Sequence, residues 1–465
     1  MSELEHTPAL AAPGAAPPPR SLILGGGGMR VAYQAGVVRA LEEAGITFSH
    51  ADGTSGGTIN LAMLLSGNSP AEMCERWRTL NPREFVSFVR LRKYLRPASL
   101  IAFGDADGLV RKVYPHLGID VRRIRAARGI DGTFNVCNYT TKTNEAVPHT
   151  EMDIDLLVAA VSLPIFMPPV RRDGAVYTDS VWIKGANLSE ALRRGSEEIW
   201  LVWCIGNTGV YRAGAFNEYV HMIELSANGG LGEELAHLRA AAGERVPRLH
   251  VIKPEYPLPL DPDFYLGRID ADALVAMGYR DATSYLEHRS DEGVAWAAEA
   301  TRMRDPHPGA AFAERLTGWL RRDGAPTTEV SVRLRADVRD VDRFAADRTA
   351  ELVGVVDSPA LGRGLLARRG SFRLEDGRIV RELVLDHEGR ALTLTIRSGG
   401  RSWSRLRRAQ AVLSDGGPGA EAGELRAGLF AAAVALLRLH ATWTDTLRGR
   451  LRAHLRVAAL LLRGG

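Results

Sequence analysis

The sequence predicts an α/β protein: a mostly parallel central sheet covered by helices, then a smaller antiparallel β-rich domain ending in a helix. Three observations predict it. From residue 21 to about residue 290, short apolar runs alternate with glycine turns and helical patterns. Beyond residue 325 the hydrophobic period changes to strict alternation. The 465 residues are 45% hydrophobic and 25% charged, an ordinary globular composition at a length that allows two or three domains.

Residues 1–20 are rich in Ala and Pro and carry Glu3 and Glu5. A secretory signal needs a basic start and a proline-free apolar stretch, so this segment is expected to be a flexible tail. Ser21–Leu24 is a short apolar run that ends in Gly25–Gly28. Val31, Ala35, Val38 and Leu41 follow at helical spacing and stop at Gly45. The order strand, glycine loop, helix returns at Ile46–Phe48, the turn Gly53–Gly57 and the run Ile59–Leu65. Glu190–Arg194 reads as a helix end before Gly195, Ile199–Cys204 as a buried strand, and Leu249–Ile252 as another.

Asp, Pro and Gly gather at Arg304–Pro308 and again at Asp323–Pro326, which divides the chain into domains expected at 21–305 and 325–463. In the second, Val330, Val332 and Leu334 alternate with polar residues, as do Leu392, Leu394 and Ile396. Asp376-Gly377, Glu388-Gly389 and Gly399-Gly400 supply hairpin turns. A loop over Gly416–Gly423 is expected to lead into a final helix with Leu429, Ala433, Leu436 and Leu437 on one stripe.

The charge balance, 59 basic against 55 acidic residues, argues against a nucleic-acid binder, which concentrates positive charge. Cys74, Cys137 and Cys204 are too scattered for a disulfide framework or a zinc site, so a reducing, cytoplasmic setting is expected. No apolar run reaches the roughly 18 residues of a membrane span; Ala427–Leu437 is short and bracketed by Arg426 and Arg438. Arg438, Arg448, Arg450, Arg452 and Arg456 near the C-terminus fit peripheral contact with anionic lipid. Such arginines more often form a solvated face.

The chemistry concentrates in two glycine motifs. Gly53-Thr54-Ser55-Gly56-Gly57, between a strand and a helix, suits a nucleophile elbow: glycines clear the space for a sharp turn that presents the hydroxyl. The helix beyond it points backbone N–H groups at developing negative charge. Gly25-Gly26-Gly27-Gly28-Met29-Arg30 exposes consecutive N–H donors, a nest for an anion. A phosphate-binding P-loop would need Lys-Ser or Lys-Thr where Met29-Arg30 stands, and a dinucleotide fingerprint would need glycine at Val31. An oxyanion hole needs a nucleophile soon afterwards, which Ser55 provides. None of the twelve histidines sits in a recognisable motif, and His50 lies on the strand entering the elbow. Asp179, after the proline-rich stretch Ser162–Val170, can serve as the base where burial raises its pKa. Taken by itself, a lone Asp in such a turn reads first as a cap or turn former.

Taken together, Gly26–Arg30, Ala32–Val37, Gly53–Gly57, Ser162–Val170 and Val176-Tyr177-Thr178-Asp179 resemble the patatin-like phospholipase family over roughly residues 21–290. The resemblance implies a three-layer α/β fold and hydrolysis of ester bonds in phospholipids or other acyl lipids. It implies Ser55 as nucleophile and Asp179 as base, with no third catalytic residue. Backbone N–H groups of Gly26, Gly27 and Gly28 would form the oxyanion hole, with Gly56 as a further donor. Arg30 would be the family's basic residue at the substrate, and neither metal nor cofactor is implied. Two departures stand out: Ser180-Val181 follow Asp179 where the family carries glycine, and Val31 replaces a glycine after Arg30. They motivate the alternative of a non-catalytic lipid- or partner-binding protein that retains the fold. The region 325–463 lies outside the resemblance.

Overall fold

A computed structural model describes residues 19–85, 87–88, 104–243, 246–321, 327–399, 408–416, 420–427, 439–444 and 446–463. The chain divides into two units. The first takes the residues up to Gly209, Gly214–Tyr265 and Tyr285–Arg304; the second takes Val210–Ala213, Leu266–Ser284 and Asp305 onward.

The first unit is built on β1 (Arg20–Leu24), α1 (Ala32–Glu43), β2 (His50–Thr54) and α2 (Gly56–Leu65). A small pair, β3 (Ser87–Phe88) and β4 (Gly104–Asp105), stands apart. β5 (Asp131–Asn138), β6 (Thr143–Pro148), β7 (Val170–Arg172), β8 (Ala175–Asp179), β9 (Glu198–Val202) and β10 (Arg248–Ile252) complete the unit's strands. The main sheet runs β10-β9-β1-β2-β5-β8-β7, with β6 also on β5. β10 through β5 are parallel, whereas β6, β7 and β8 join antiparallel. Ile23, Ile199, Leu201 and Val251 share a core with Ala227, Leu231 and Leu235 of the helix Ala215–Ala242. Leu22, Leu24, Trp200 and Val202, which alternate with them, are equally buried. A sheet covered on both faces explains why β1 and β9 read as continuous apolar runs.

Two expectations are corrected at the start of the chain. Arg20 belongs to β1, opposite Glu198, rather than to a tail; residues 1–18 lie outside the described residues. Ile46–Phe48 is not a strand. β2 begins after it, at His50, and its polar side chains find buried partners: His50 lies between Ser21 and Thr133, and Asp52 between Thr133 and Asn135.

The second unit is a closed antiparallel barrel of eight strands: β11 (Gly309–Arg321), β12 (Thr328–Val338), β13 (Thr349–Ser358), β14 (Gly362–Glu375), β15 (Arg378–His387), β16 (Arg390–Gly399), β17 (Arg408–Ser414) and β18 (Glu421–Ala427). Each pairs with the next, and β18 returns to β11. β19 (His440–Thr442) adds to the free part of β11. Closure removes the edges an open sheet would expose. The hairpin turns at Asp376-Gly377 and Glu388-Gly389 have positive φ at both residues, as type I′ turns require. Ala310, Phe312, Leu316, Val332, Leu334, Phe372, Leu383, Leu394, Ile396 and Leu425 fill the interior, which suits the size of an eight-stranded barrel.

β11 occupies the stretch between the two glycine- and proline-rich segments, which the composition alone reads as a boundary. Glu421–Ala427 is a strand, not part of a loop before a helix. The stripe Leu429–Leu437 falls outside the described residues, and the final described helix is Leu447–Arg463. Among the described residues no helix is long and apolar enough to cross a membrane.

Candidate active site

Ser55 and Asp179 meet because of register on a single strand. β6 lies along one edge of β5 from Thr133 to Asn138. The other edge pairs with β2 up to Thr54↔Asn135 and then with β8 from Asp179↔Val136. The two strands therefore meet end to end, and their terminal residues face each other. Ser55 Oγ donates to Asp179 Oδ2 at 2.7 Å.

Ser55 sits at φ 53°, ψ −129°, between β2 and α2. A non-glycine residue in this region costs on the order of 1–3 kcal/mol and persists only where its surroundings impose it. Here Gly57 does so: a Cβ on it would stand 2.1 Å from the carbonyl oxygen of Leu24. α2 can start against the end of β1 only through a residue with no side chain.

Asp179 is fully buried. Burial pushes its carboxyl up to about 7, partly offset by the hydrogen bonds from Ser55 and from the Val181 N–H, which donates to Oδ1 at 2.9 Å. Ser180 and Val181 both have negative φ, so nothing in the backbone here requires the family's glycines. The Ser180 hydroxyl donates to Asn144, which donates to Asn135, which donates in turn to Asp52. Asp52 lies two residues before the elbow's Thr54; burial lifts its carboxyl to about 8, against hydrogen bonds from Thr133 and Asn135. His50 is held neutral, its pKa lowered to about 3 by burial and by Arg194 and Arg193. It belongs to this buried network and does not touch Ser55.

The glycine loop lies over the serine: a Cβ on Gly26 would be 3.2 Å from Ser55 Cβ. The expected donors divide. Gly26 N–H already donates to Gly185 O at 3.0 Å, which removes it from the set. The N–H groups of Gly27 and Gly28 have no partner among the described residues. Arg30 also differs from expectation. Its side chain is buried and turns back, Nε donating to Gly27 O at 2.9 Å, while Nη1 meets no acceptor among the described residues. It braces the loop.

Asp261 was not visible in the sequence. Its Oδ1 accepts from Met29 N at 3.0 Å, and its carboxylate lies where a Cβ on Gly28, at φ 58°, would collide with it. Burial raises the Asp261 pKa, with Arg30 and the Met29 N–H opposing. Asp261 and Arg30 thus clamp the loop from its far side. An Asp in the run Pro257-Leu258-Pro259-Leu260-Asp261-Pro262-Asp263, more than two hundred residues away in sequence, gave no signal.

Nearby, the stretch after Ser162 is tied to the dyad strand. Ser162 O accepts from Asp179 N at 3.1 Å and from the Thr178 hydroxyl. Pro164 O accepts from Tyr219, and Phe166 packs edge-on against the Tyr219 ring. Ile165 and Phe166 remain solvent-exposed.

No curated protein sequence matches the chain. Among solved structures, the crystal structure of VipD from Legionella pneumophila is similar at 13% identity, over 58% of this chain and 67% of that one, with a TM-score of 0.31. A family model, patatin-like phospholipase, matches residues 22–192. The glycine loop, the serine elbow and Asp179 all fall inside the stretch that is similar to the patatin-like phospholipase family.

Proposed function

We propose that the protein is a phospholipase A-type serine esterase that cleaves acyl lipids with a Ser55–Asp179 dyad through an acyl-enzyme. The observation that carries this reading is the 2.7 Å hydrogen bond from a strained serine to a buried carboxylate whose pKa is pushed up to about 7. A base poised near neutrality can take a proton and return it within one cycle.

Asp179 Oδ2 accepts the Ser55 proton as Oγ attacks the ester carbonyl carbon. The carbonyl electrons move onto oxygen, where the N–H groups of Gly27 and Gly28 and the first turn of α2 receive them. A well-placed donor of this kind contributes about 3–4 kcal/mol. Collapse expels the alcohol, which takes the proton from Asp179, and leaves the acyl group on Ser55. Water then attacks with Asp179 again as base and releases the fatty acid. Arg30 and Asp261 act as positioning residues, keeping the glycine N–H groups aimed at the oxyanion.

The test is hydrolysis of a short-chain p-nitrophenyl ester and a phospholipid panel, with fluorophosphonate labelling, for wild type, Ser55→Ala and Asp179→Asn. The expected result is labelling of wild type and a fall in kcat of at least about 10³-fold in each variant. A wild type that neither labels at Ser55 nor turns over any ester would instead favour a non-catalytic lipid- or partner-binding protein.

A further inference from the structure

The final helix, Leu447–Arg463, has two apolar faces, and the barrel uses only one of them. Ala453 and Val457 are buried in the barrel core, and Leu460 and Leu461 pack against it. Arg456 pairs with Asp342 of the short helix Val341–Asp347, and Arg450 donates to Thr444 O, at 3.0 Å, in the turn that leads into the helix. Leu447, Leu451 and Leu455, spaced by four and so stacked on one line, are 83%, 57% and 57% exposed. The line extends for about 12 Å at 1.5 Å per residue.

Charge flanks this line on one side. Arg448 and Arg452 each follow a stripe leucine by one residue, both are exposed, and neither has an acidic partner among the described residues. The helix sequence, LRGRLRAHLRVAALLLR, contains no Asp or Glu. That arrangement selects among occupants. A second copy of the helix packed on the leucines would bring arginines toward arginines with no carboxylate on either helix to separate them. An anionic lipid surface offers apolar depth to the leucines and phosphates to the arginines at once.

We infer that this helix is an interfacial anchor that lies in the headgroup region of an anionic membrane, leucine stripe inward, with Arg448 and Arg452 on lipid phosphates. Its five contact residues are exposed and none belongs to the barrel core, so they can be changed without loss of the fold. The anchor is independent of whether Ser55 reacts.

The experiment is sedimentation of the full chain with vesicles of non-hydrolysable diether phosphatidylcholine, with and without diether phosphatidylglycerol. Wild type is expected to partition onto the anionic vesicles and to be released by high salt. Arg448→Glu/Arg452→Glu and, separately, Leu451→Ser/Leu455→Ser should each weaken partitioning at least about tenfold at an unchanged melting temperature. Three outcomes overturn the inference: absence of wild-type binding, equal binding to neutral and anionic vesicles, or binding that both double variants retain. So would a wild-type dimer that Leu451→Ser/Leu455→Ser converts to monomer, which would assign the stripe to a second copy.

Discussion

Inside the barrel, Arg381 points inward from β15 and meets both oxygens of Glu314 on β11, with Ser398 accepting a third hydrogen bond. Every partner is supplied, and none of the three has an unusual backbone. Beneath the elbow of the α/β unit the buried polar groups are arranged differently. Asp52 and Asp179 carry carboxyls lifted toward or past neutrality, Ser55 is held at positive φ, and two glycine N–H groups face no acceptor among the described residues. Buried charge alone therefore does not distinguish a reacting site from a structural one. The distinguishing features are strain, a displaced pKa and donors left open, all at one place.

The sharpest way to break this contrast is Gly57→Ala. Its methyl would enter the Leu24 carbonyl, and a loss of about 4–5 kcal/mol is expected, with the elbow lost as the chain unfolds. Urea denaturation measures it. A well-folded, active Gly57→Ala protein would show that the serine's conformation is not imposed by this packing.

The barrel counterpart is Arg381→Met. It should cost about 3 kcal/mol, at the low end for a broken buried pair, because the Glu314 side chain keeps 19% exposure. The double variant Arg381→Met/Glu314→Leu should recover most of that loss, since two apolar side chains leave no charge unmatched. Ester hydrolysis per folded molecule should be unchanged in both. A specific fall in turnover would place the barrel pair in the reaction and collapse the comparison.

Acidity sharpens the contrast further. The folded-state pKa values of Asp179 and Asp52 are raised to about 7 and about 8 from an ordinary 3.8. Folding thus favours their protonated forms. Their contribution to stability is complete below the ordinary carboxylate range and is lost as pH rises through those values. Catalysis needs Asp179 ionised, so kcat/KM on a soluble ester should fall about tenfold per pH unit below about 7 and level off above it. Activity and melting temperature should therefore move in opposite directions across neutrality. A pH–rate profile that stays flat well below neutrality would remove Asp179 as the base.

The smallest effect concerns a departure from the family pattern. Ser180→Gly restores the usual residue, yet Ser180 has negative φ, and its hydroxyl bonds to Asn144 at 2.5 Å. A loss of about 0.5–1 kcal/mol is expected, with no gain in turnover. A rise in kcat would show that the serine restrains the dyad.

Much of the site was legible because glycine is the only residue that fits certain backbones. Gly53–Gly57 and the loop at Gly25–Gly28 announce a turn and a nest wherever they occur in space. β9 was legible because both its faces are buried and its sequence is apolar throughout. The strand entering the elbow is displaced by a few residues, from Ile46–Phe48 to His50–Thr54, because the apolar run draws the assignment while the polar Asp52 discloses a strand only through its buried partners on β5. β11 was missed because glycine and proline at both ends outweighed the alternation of Ala310, Phe312, Leu316 and Leu320. Arg30 and Asp261 were beyond reach for another reason: composition cannot tell a side chain that turns inward to brace a loop from one that reaches out to a ligand.

Ser55 and Asp179 are 124 residues apart in the chain, yet only the register of β5 brings them together. The segment between α2 and β5 can lengthen, shorten or change composition without altering which residues meet on that edge. A lineage carrying this sheet can therefore vary the surroundings of the reacting pair at constant chemistry, and substrate range becomes a property of the connecting segment rather than of the sheet.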